Sequence, residues 1–308
     1  MIDQPVNPTP QGDDRLHDRS LRPGRLEEFI GQDDLKRNLS ILVQAARKRH
    51  ESIEHLLFYG PPGLGKTTLA QLLAHEVEAE IITTSGPVLE RASELVGLLT
   101  SLKPGGLLFI DEIHRTPRAV EEYLYGAMED YQLDIMLDRG PAARSVQLHL
   151  PPFTLVGATT RIGLLTAPLR GRFGFTAHLD FYPPEDLCRL LRRSAALLGL
   201  ILDSAGEERI ARCSRGTPRV ANRLLRRVRD YAEVHEIPTI TAQVAEDALA
   251  LLKIDEHGLH EMDPPLLETV VHTFAGGPVG LSTIAAVLGE EDDTVEDLLE
   301  PFLIQQGL

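Results

Sequence analysis

The sequence predicts an α/β fold in which a parallel-sheet domain is followed by a small helical domain and then a winged-helix-like helical head. Three observations predict it. Apolar runs at 56–59, 107–110 and 153–158 each end in small or polar residues, the pattern of central strands covered on both faces of an open sheet. A glycine-rich loop follows the first run and leads directly into a helical pattern. From about residue 183 onward, apolar residues recur at helical spacing.

The first run, Leu56-Leu57-Phe58-Tyr59, leads into Gly60-Pro61-Pro62-Gly63-Leu64-Gly65-Lys66-Thr67-Thr68, and a helix begins around Leu69. This strand, loop and helix form the context a phosphate-binding loop requires. Glycines let backbone N–H groups turn toward phosphate, and the helix N-terminus adds its positive dipole end. Lys66 reaches the outer phosphates and the Thr67 hydroxyl ligates Mg²⁺, with Pro62, Gly63, Leu64, Gly65 and Thr68 lining the nucleotide. The expected ligands are a nucleoside triphosphate and Mg²⁺.

The second run ends in Asp111-Glu112, at the carboxyl end of a strand, where open α/β sheets bind their ligands. Asp111 is expected to hold the metal through water, and Glu112 to orient the attacking water. The third run closes on Thr159-Thr160-Arg161, which places Thr160 beside the γ-phosphate or that water. Arg170 and Arg172 follow shortly, where a planar cation would stabilise phosphoryl charge in a neighbouring subunit. Gly216-Thr217-Pro218-Arg219 opens a further helix over 220–233, with proline in the first turn.

At 308 residues with 43% hydrophobic content, the chain exceeds the size of a single growing core. The expected divisions are a polar tail at 1–20, a large domain at 21–182, a lid at 183–254 and a head at 255–308. In the head, helical patterns at 264–274, 281–288 and 294–303 are separated by Gly276, Gly277, Gly280 and Gly289. No apolar stretch approaches the ~20 residues of a membrane span. Cys188 and Cys213 are isolated, read as packing residues, and point to a cytoplasmic protein. Residues 133–150 alternate around a Gly-Pro turn as a β-hairpin. Arg189, Arg192, Arg193, Arg223, Arg226, Arg227 and Arg229 crowd the lid, where a solvated helix face accounts for most of them.

Charge is uneven. The formal net charge is −15, and after Lys253 there is no Lys or Arg but five Asp and seven Glu, or −12. Electrostatics alone therefore argue against groove reading by the head, because phosphate contacts need cations.

Beyond the nucleotide motifs, Leu21-Arg22-Pro23, Thr84-Ser85-Gly86-Pro87, Ile110-Asp111-Glu112-Ile113-His114-Arg115, Ala127-Met128-Glu129-Asp130-Tyr131 and the stretch 215–231 carry a specific likeness. Through them the chain resembles, nearly end to end, the RuvB family of AAA+ ATPases, bacterial motors of Holliday-junction branch migration in recombination, repair and the SOS response. The resemblance implies that Arg172 is an arginine finger, Thr160 a sensor-1 residue and Arg219 a sensor-2 residue. It also places Leu21, Arg22, Glu129, Asp130, Tyr131 and Tyr182 around the nucleotide. A homohexameric ring on duplex DNA is implied, with a RuvA-type junction-binding partner docked on the 133–150 hairpin through Ile135, Leu137, Val146 and Leu148, and a RuvC-type resolvase. In the family a basic hairpin wing follows the segment equivalent to 302–308, so the head is expected to be truncated before its wing. A DExH-type helicase, prompted by 111–114, would need a second motor domain. A clamp-loader-like ATPase and a nucleotide-binding scaffold without hydrolysis remain as alternatives, the latter disfavoured by the presence of both Glu112 and Arg172.

Overall fold

The computed structural model describes residues 21–136 and 145–307. These form two units: Pro23–Gly60 with Gly65–Asp180, and a second unit that joins Pro61–Leu64 and the stretch ending at Arg22 to the chain from Phe181 onward. The predicted tail at 1–20 and the hairpin tip, including Leu137, lie outside the described residues.

The first unit contains strands β1 (Leu56–Tyr59), β2 (Ile81–Ser85), β3 (Leu107–Asp111), β4 (Gln132–Met136), β5 (Ser145–His149), β6 (Thr154–Thr159) and β7 (Phe175–His178). Its helices are α1 (Asp33–Arg49), α2 (Lys66–Glu76), α3 (Ala92–Ser101), α4 (Arg118–Asp130) and α5 (Ala167–Arg170). Five strands form a parallel sheet in the order β2-β3-β6-β1-β7. The apolar runs predicted as central strands are these: Leu56, Leu57, Phe58, Leu107 to Ile110, Leu155 and Val156 all have 0% exposure, as covering on both faces requires. Helix α4 turns Val120, Leu124, Ala127 and Met128 to the core, a stripe at helical spacing.

Strands β4 and β5 pair antiparallel, with Leu133 opposite Leu148 and Ile135 opposite Val146. Opposed residues share a face, and here the shared face turns inward. Leu133 is buried, and Ile135 and Leu148 pack against the main core. Of the side chains expected at a projecting tip, only Val146 is exposed among those described.

The second unit carries helices α6 (Pro184–Leu197), α7 (Ser204–Arg212), α8 (Pro218–Val234) and α9 (Ala242–Leu251). A short parallel ladder of β8 (Ile201–Leu202) with β9 (Thr239–Ile240) was not legible, since two residues carry no periodicity. Thr217 caps α8, its hydroxyl accepting from the Val220 N–H at 3.4 Å. The arginines are more paired than a solvated face predicts. Arg192 makes a two-pronged contact with Glu207 at 2.9 and 2.6 Å, and Arg223 and Arg226 are buried. Cys213 is buried as expected, whereas Cys188 is only half-buried.

Further on lie α10 (Asp263–Glu268), α11 (Leu281–Leu288), α12 (Asp292–Thr294) and α13 (Glu300–Gln306), with π turns at Thr269–Thr273 and Val295–Leu299. Leu266, Ala285, Val295, Leu299 and Leu303 form a small core of their own. A buried ion pair, Arg215 to Asp263, ties the loop before α8 to the start of α10. Phe302 stacks on that guanidinium at 4.5 Å. His260, beside the pair, is pushed down to about 3, first by burial and then by Arg215 and Arg223.

Candidate nucleotide site

The strand order explains the convergence of the first unit's site residues. Because β6 lies between β3 and β1, Thr159 and Thr160 leave the sheet between Asp111-Glu112 on one side and the glycine loop on the other. The Gly60 N–H donates to the Thr159 carbonyl at 3.2 Å, fixing the loop's entry. Gly60 has φ 138°, and a Cβ there would lie 2.3 Å from the Leu179 carbonyl oxygen, so no other residue fits. Gly65, at φ 99°, is the residue before α2. The first turn of α2 contains no acid, and the N–H groups of a helix's first turn, which have no acceptor within the helix, suit an anion. Lys66 is 7% exposed, and its Nζ donates to the Gly60 carbonyl at 2.7 Å.

Glu112 adopts a left-handed conformation, φ 47°, and its N–H donates to Asp111 Oδ1 at 3.0 Å. This turn ends β3 and swings the Glu112 carboxylate toward β6. There Thr160 Oγ1 donates to Glu112 Oε2 at 3.4 Å. The same oxygen lies 3.3 Å from His114 Nδ1, which is also 2.9 Å from Thr159 Oγ1. His114 was read from sequence only within the 110–115 stretch and a DExH-like signal, with no role at the nucleotide, although its place two residues after Glu112 at a strand end was the available signal. Among the described residues no three His, Cys, Asp or Glu side chains cluster as metal ligands. A divalent ion here would complete its shell with phosphate and water, as Mg²⁺ does, with Thr67 and Asp111 as the protein's share. The residues present therefore fit a nucleotide with that ion.

The second unit gathers another set. The Arg219 N–H donates to the Gly63 carbonyl at 3.4 Å, and a Cβ on Gly63 would come within 3.2 Å of the Arg219 Cβ. Tyr182 is 3% exposed; its N–H donates to the Gly216 carbonyl at 2.8 Å and its hydroxyl to the Leu64 carbonyl at 3.4 Å. Burial, and secondarily Asp186, raises the Tyr182 phenol above its ordinary range. Leu21 and Arg22 are held through their carbonyls by Arg193, at 2.7 and 3.5 Å. Arg193 had been read only as part of a charged face.

Arg172, Glu129, Asp130 and Tyr131 do not join the residues at the loop. The His55 carbonyl, just before β1, accepts from the N–H groups of Gly174 and Phe175 at 3.0 and 3.2 Å. The His55 ring donates through Nε2 to the Met128 carbonyl at 3.0 Å. Residues 128 and 174–175 are thus fixed at the amino end of β1, while the glycine loop leaves its carboxyl end. At ~3.3 Å per residue these ends are about 16 Å apart. The Arg172 guanidinium is occupied at its own end, 3.1 Å from Glu129 Oε1.

Family models match consecutively: a Holliday junction DNA helicase RuvB P-loop domain over residues 21–179, a RuvB AAA lid domain over 182–255 and a RuvB C-terminal winged helix domain over 256–308. The chain belongs to the RuvB family. Among solved structures it is similar to the Thermotoga maritima RuvB Holliday junction branch migration motor, with 47% identity over 94% of this chain and 92% of that one, TM-score 0.85. Two point mutants of that RuvB match likewise, at 46% identity over 94% and 92% with TM-score 0.85, and at 47% over 93% and 91% with TM-score 0.86. The RuvB fold of AAA+ P-loop domain, lid and winged-helix head is therefore present, and with it the ATP-hydrolysing activity of a branch-migration motor acting on Holliday junctions. One expectation is corrected. The RuvB winged-helix model matches 256–308, which does not support a head lacking its wing; that expectation rested on the family resemblance alone, with no structural observation of the head behind it. None of the described helices is long and apolar enough to cross a membrane.

Proposed function

We propose that this RuvB-family motor binds ATP with Mg²⁺ at the glycine loop and completes each site with residues from an adjoining copy, in a six-membered ring around duplex DNA. The observation that supports shared sites is the length of β1. Arg172 and Glu129 sit at one end of it and the loop at the other, about 16 Å away, beyond the reach of either side chain toward its own loop. In this reading Lys66 contacts the outer phosphates and Glu112, steadied by Thr160, orients the attacking water. Arg219 contacts the γ-phosphate, while Arg172 and Glu129 approach the nucleotide of the next copy. Mg²⁺, held by Thr67 and through water by Asp111, would neutralise phosphate charge. We assign the hairpin of β4 and β5 to docking a RuvA-type junction-binding protein, with Val146 as its exposed described apolar residue, and a RuvC-type resolvase to the same junction.

Mixing inactive variants tests the shared site. Arg172→Ala should lower hydrolysis by roughly 10³-fold in uniform rings, the scale on which arginine fingers act. Lys66→Ala should be inactive for a different reason, loss of its own phosphate contact. Rings assembled from both contain some interfaces with an intact loop facing an intact arginine, so activity should return. Mixed rings that form but stay inactive at every ratio would exclude a trans role for Arg172.

A further inference from the structure

Three residues of α4, Glu121, Tyr125 and Glu129, are spaced by four and therefore lie along one face. Arg172 lies across this stripe. Its guanidinium carbon sits 4.4 Å from the centroid of the Tyr125 ring. One end of the guanidinium donates to the Pro168 carbonyl at 2.7 Å and the other is 3.1 Å from Glu129 Oε1. The Glu129 contact is solvated, with 55% of that side chain exposed, so it holds weakly. The aromatic ring is the firmer support.

The ring itself is fixed from beneath. Tyr125 donates its hydroxyl to Glu121 Oε1 at 2.6 Å, and Glu121 is only 6% exposed. The Thr166 hydroxyl donates to the same oxygen and accepts from the Leu169 N–H at 3.3 Å, capping α5, the helix that leads into Arg172. One buried carboxylate oxygen thus anchors both the surface under the guanidinium and the start of the helix that delivers it. Ordinary core packing would not call for a desolvated carboxylate here, since burying one is costly without such bonds.

We propose that Tyr125 and Glu121 are positioning residues that preset the direction in which Arg172 leaves this copy for its neighbour's nucleotide. The inference rests on the reading that Arg172 acts in trans. A four-torsion side chain stacked on a fixed ring enters the site with fewer conformations to lose, and orientation of that kind is worth rate.

The test is turnover and nucleotide affinity for Tyr125→Leu, Tyr125→Phe and Glu121→Leu, with Arg172→Ala as control. Tyr125→Leu should lower kcat about tenfold, the order a lost cation–π contact allows, with nucleotide affinity within about twofold. Tyr125→Phe keeps the ring and should lose at most about threefold. Adding Lys66→Ala subunits, which carry an intact ring and arginine, should restore turnover to Tyr125→Leu. Wild-type kcat in Tyr125→Leu, with Arg172→Ala inactive, would overturn the positioning role and leave the trans reading standing. Full activity in Arg172→Ala would sink the trans reading itself. Equal loss of nucleotide affinity, or no recovery on mixing, would also overturn the proposal, by marking a general structural defect. Should Tyr125→Leu fail to fold, Glu121→Leu, which removes the acceptor oxygen, decides: a kcat loss reversed by mixing supports the proposal, and unchanged kcat refutes it.

Discussion

The two ends of β1 are built by different means. At the carboxyl end, Lys66, Asp111, Glu112 and Thr160 come from three short contiguous motifs brought together by strand order. At the amino end, Arg172 takes its surroundings from α4, from Pro168 and from a buried carboxylate 51 positions earlier. The first is a site assembled by adjacent strands, the second a side chain aimed by packing. Chemistry that depends on backbone amides and strand ends leaves compact motifs, and aiming a long side chain leaves only scattered contacts.

The largest test of this contrast at the carboxyl end is Glu112→Gln. It preserves shape and should leave ATP binding nearly intact while lowering turnover by about 10²-fold or more. Single-turnover hydrolysis alongside nucleotide binding would measure both, and normal turnover would remove Glu112 from the chemistry.

At the amino end the expected losses appear first in stability. His55 is buried with both ring nitrogens engaged: Nε2 donates to the Met128 carbonyl and Nδ1 accepts from the Leu155 N–H at 2.9 Å. His55→Ala strands a buried carbonyl and a buried N–H, and should cost about 2–4 kcal/mol. Urea unfolding would show this as a lower midpoint, whereas a change below 1 kcal/mol, taking ~1 as the low end for one stranded group, would mean that the two strands and α4 are held without it.

The smallest effect is on pH dependence. Burial lowers the His55 pKa, partly offset by the bond to Met128. The unfolded chain therefore takes up this proton near pH ~6.5 while the folded chain still refuses it. Stability is fully present above that value and falls as pH drops below it, by at most about 1.4 kcal/mol per pH unit, until the folded pKa is reached. Unfolding at pH 7.5 and 5.5, compared between the wild type and His55→Ala, isolates the term. An identical slope in both would exclude it.

Much of the carboxyl end was readable in advance. Buried runs such as 107–110 can hardly be anything but central strands, and their polar ends mark where ligands sit. The head's helices were likewise visible, because glycines punctuate them. The amino end was harder to read. Arg172 was named by position and resemblance, but Glu121, Tyr125 and Thr166 carry ordinary residue types. Their one local signal is the four-residue spacing on α4, which charged and aromatic residues on any helix also show. Glu129, Asp130 and Tyr131 were placed around a nucleotide with no indication of whose. Only the hydrogen bonds of His55 put them at the end of β1 away from their own loop. The hairpin pattern was right, but Ile135 and Leu148 pack inward, since alternation reveals that a face exists and not what it meets.

Strand β1 is four residues long and hydrogen-bonded on both sides, with no hinge between its ends. If one end receives and the other gives, the distance between giving and receiving surfaces is fixed within each copy. Two copies related by a two-fold axis could serve each other only reciprocally, and the assembly would stop at two. Head-to-tail contacts instead join the giving end of one copy to the receiving end of the next, and these must close on themselves or continue indefinitely. Every such assembly has a sense of rotation, because each member serves the one ahead and is served by the one behind. The polarity of the motor would thus be set within the monomer, by a strut about 13 Å long at ~3.3 Å per residue.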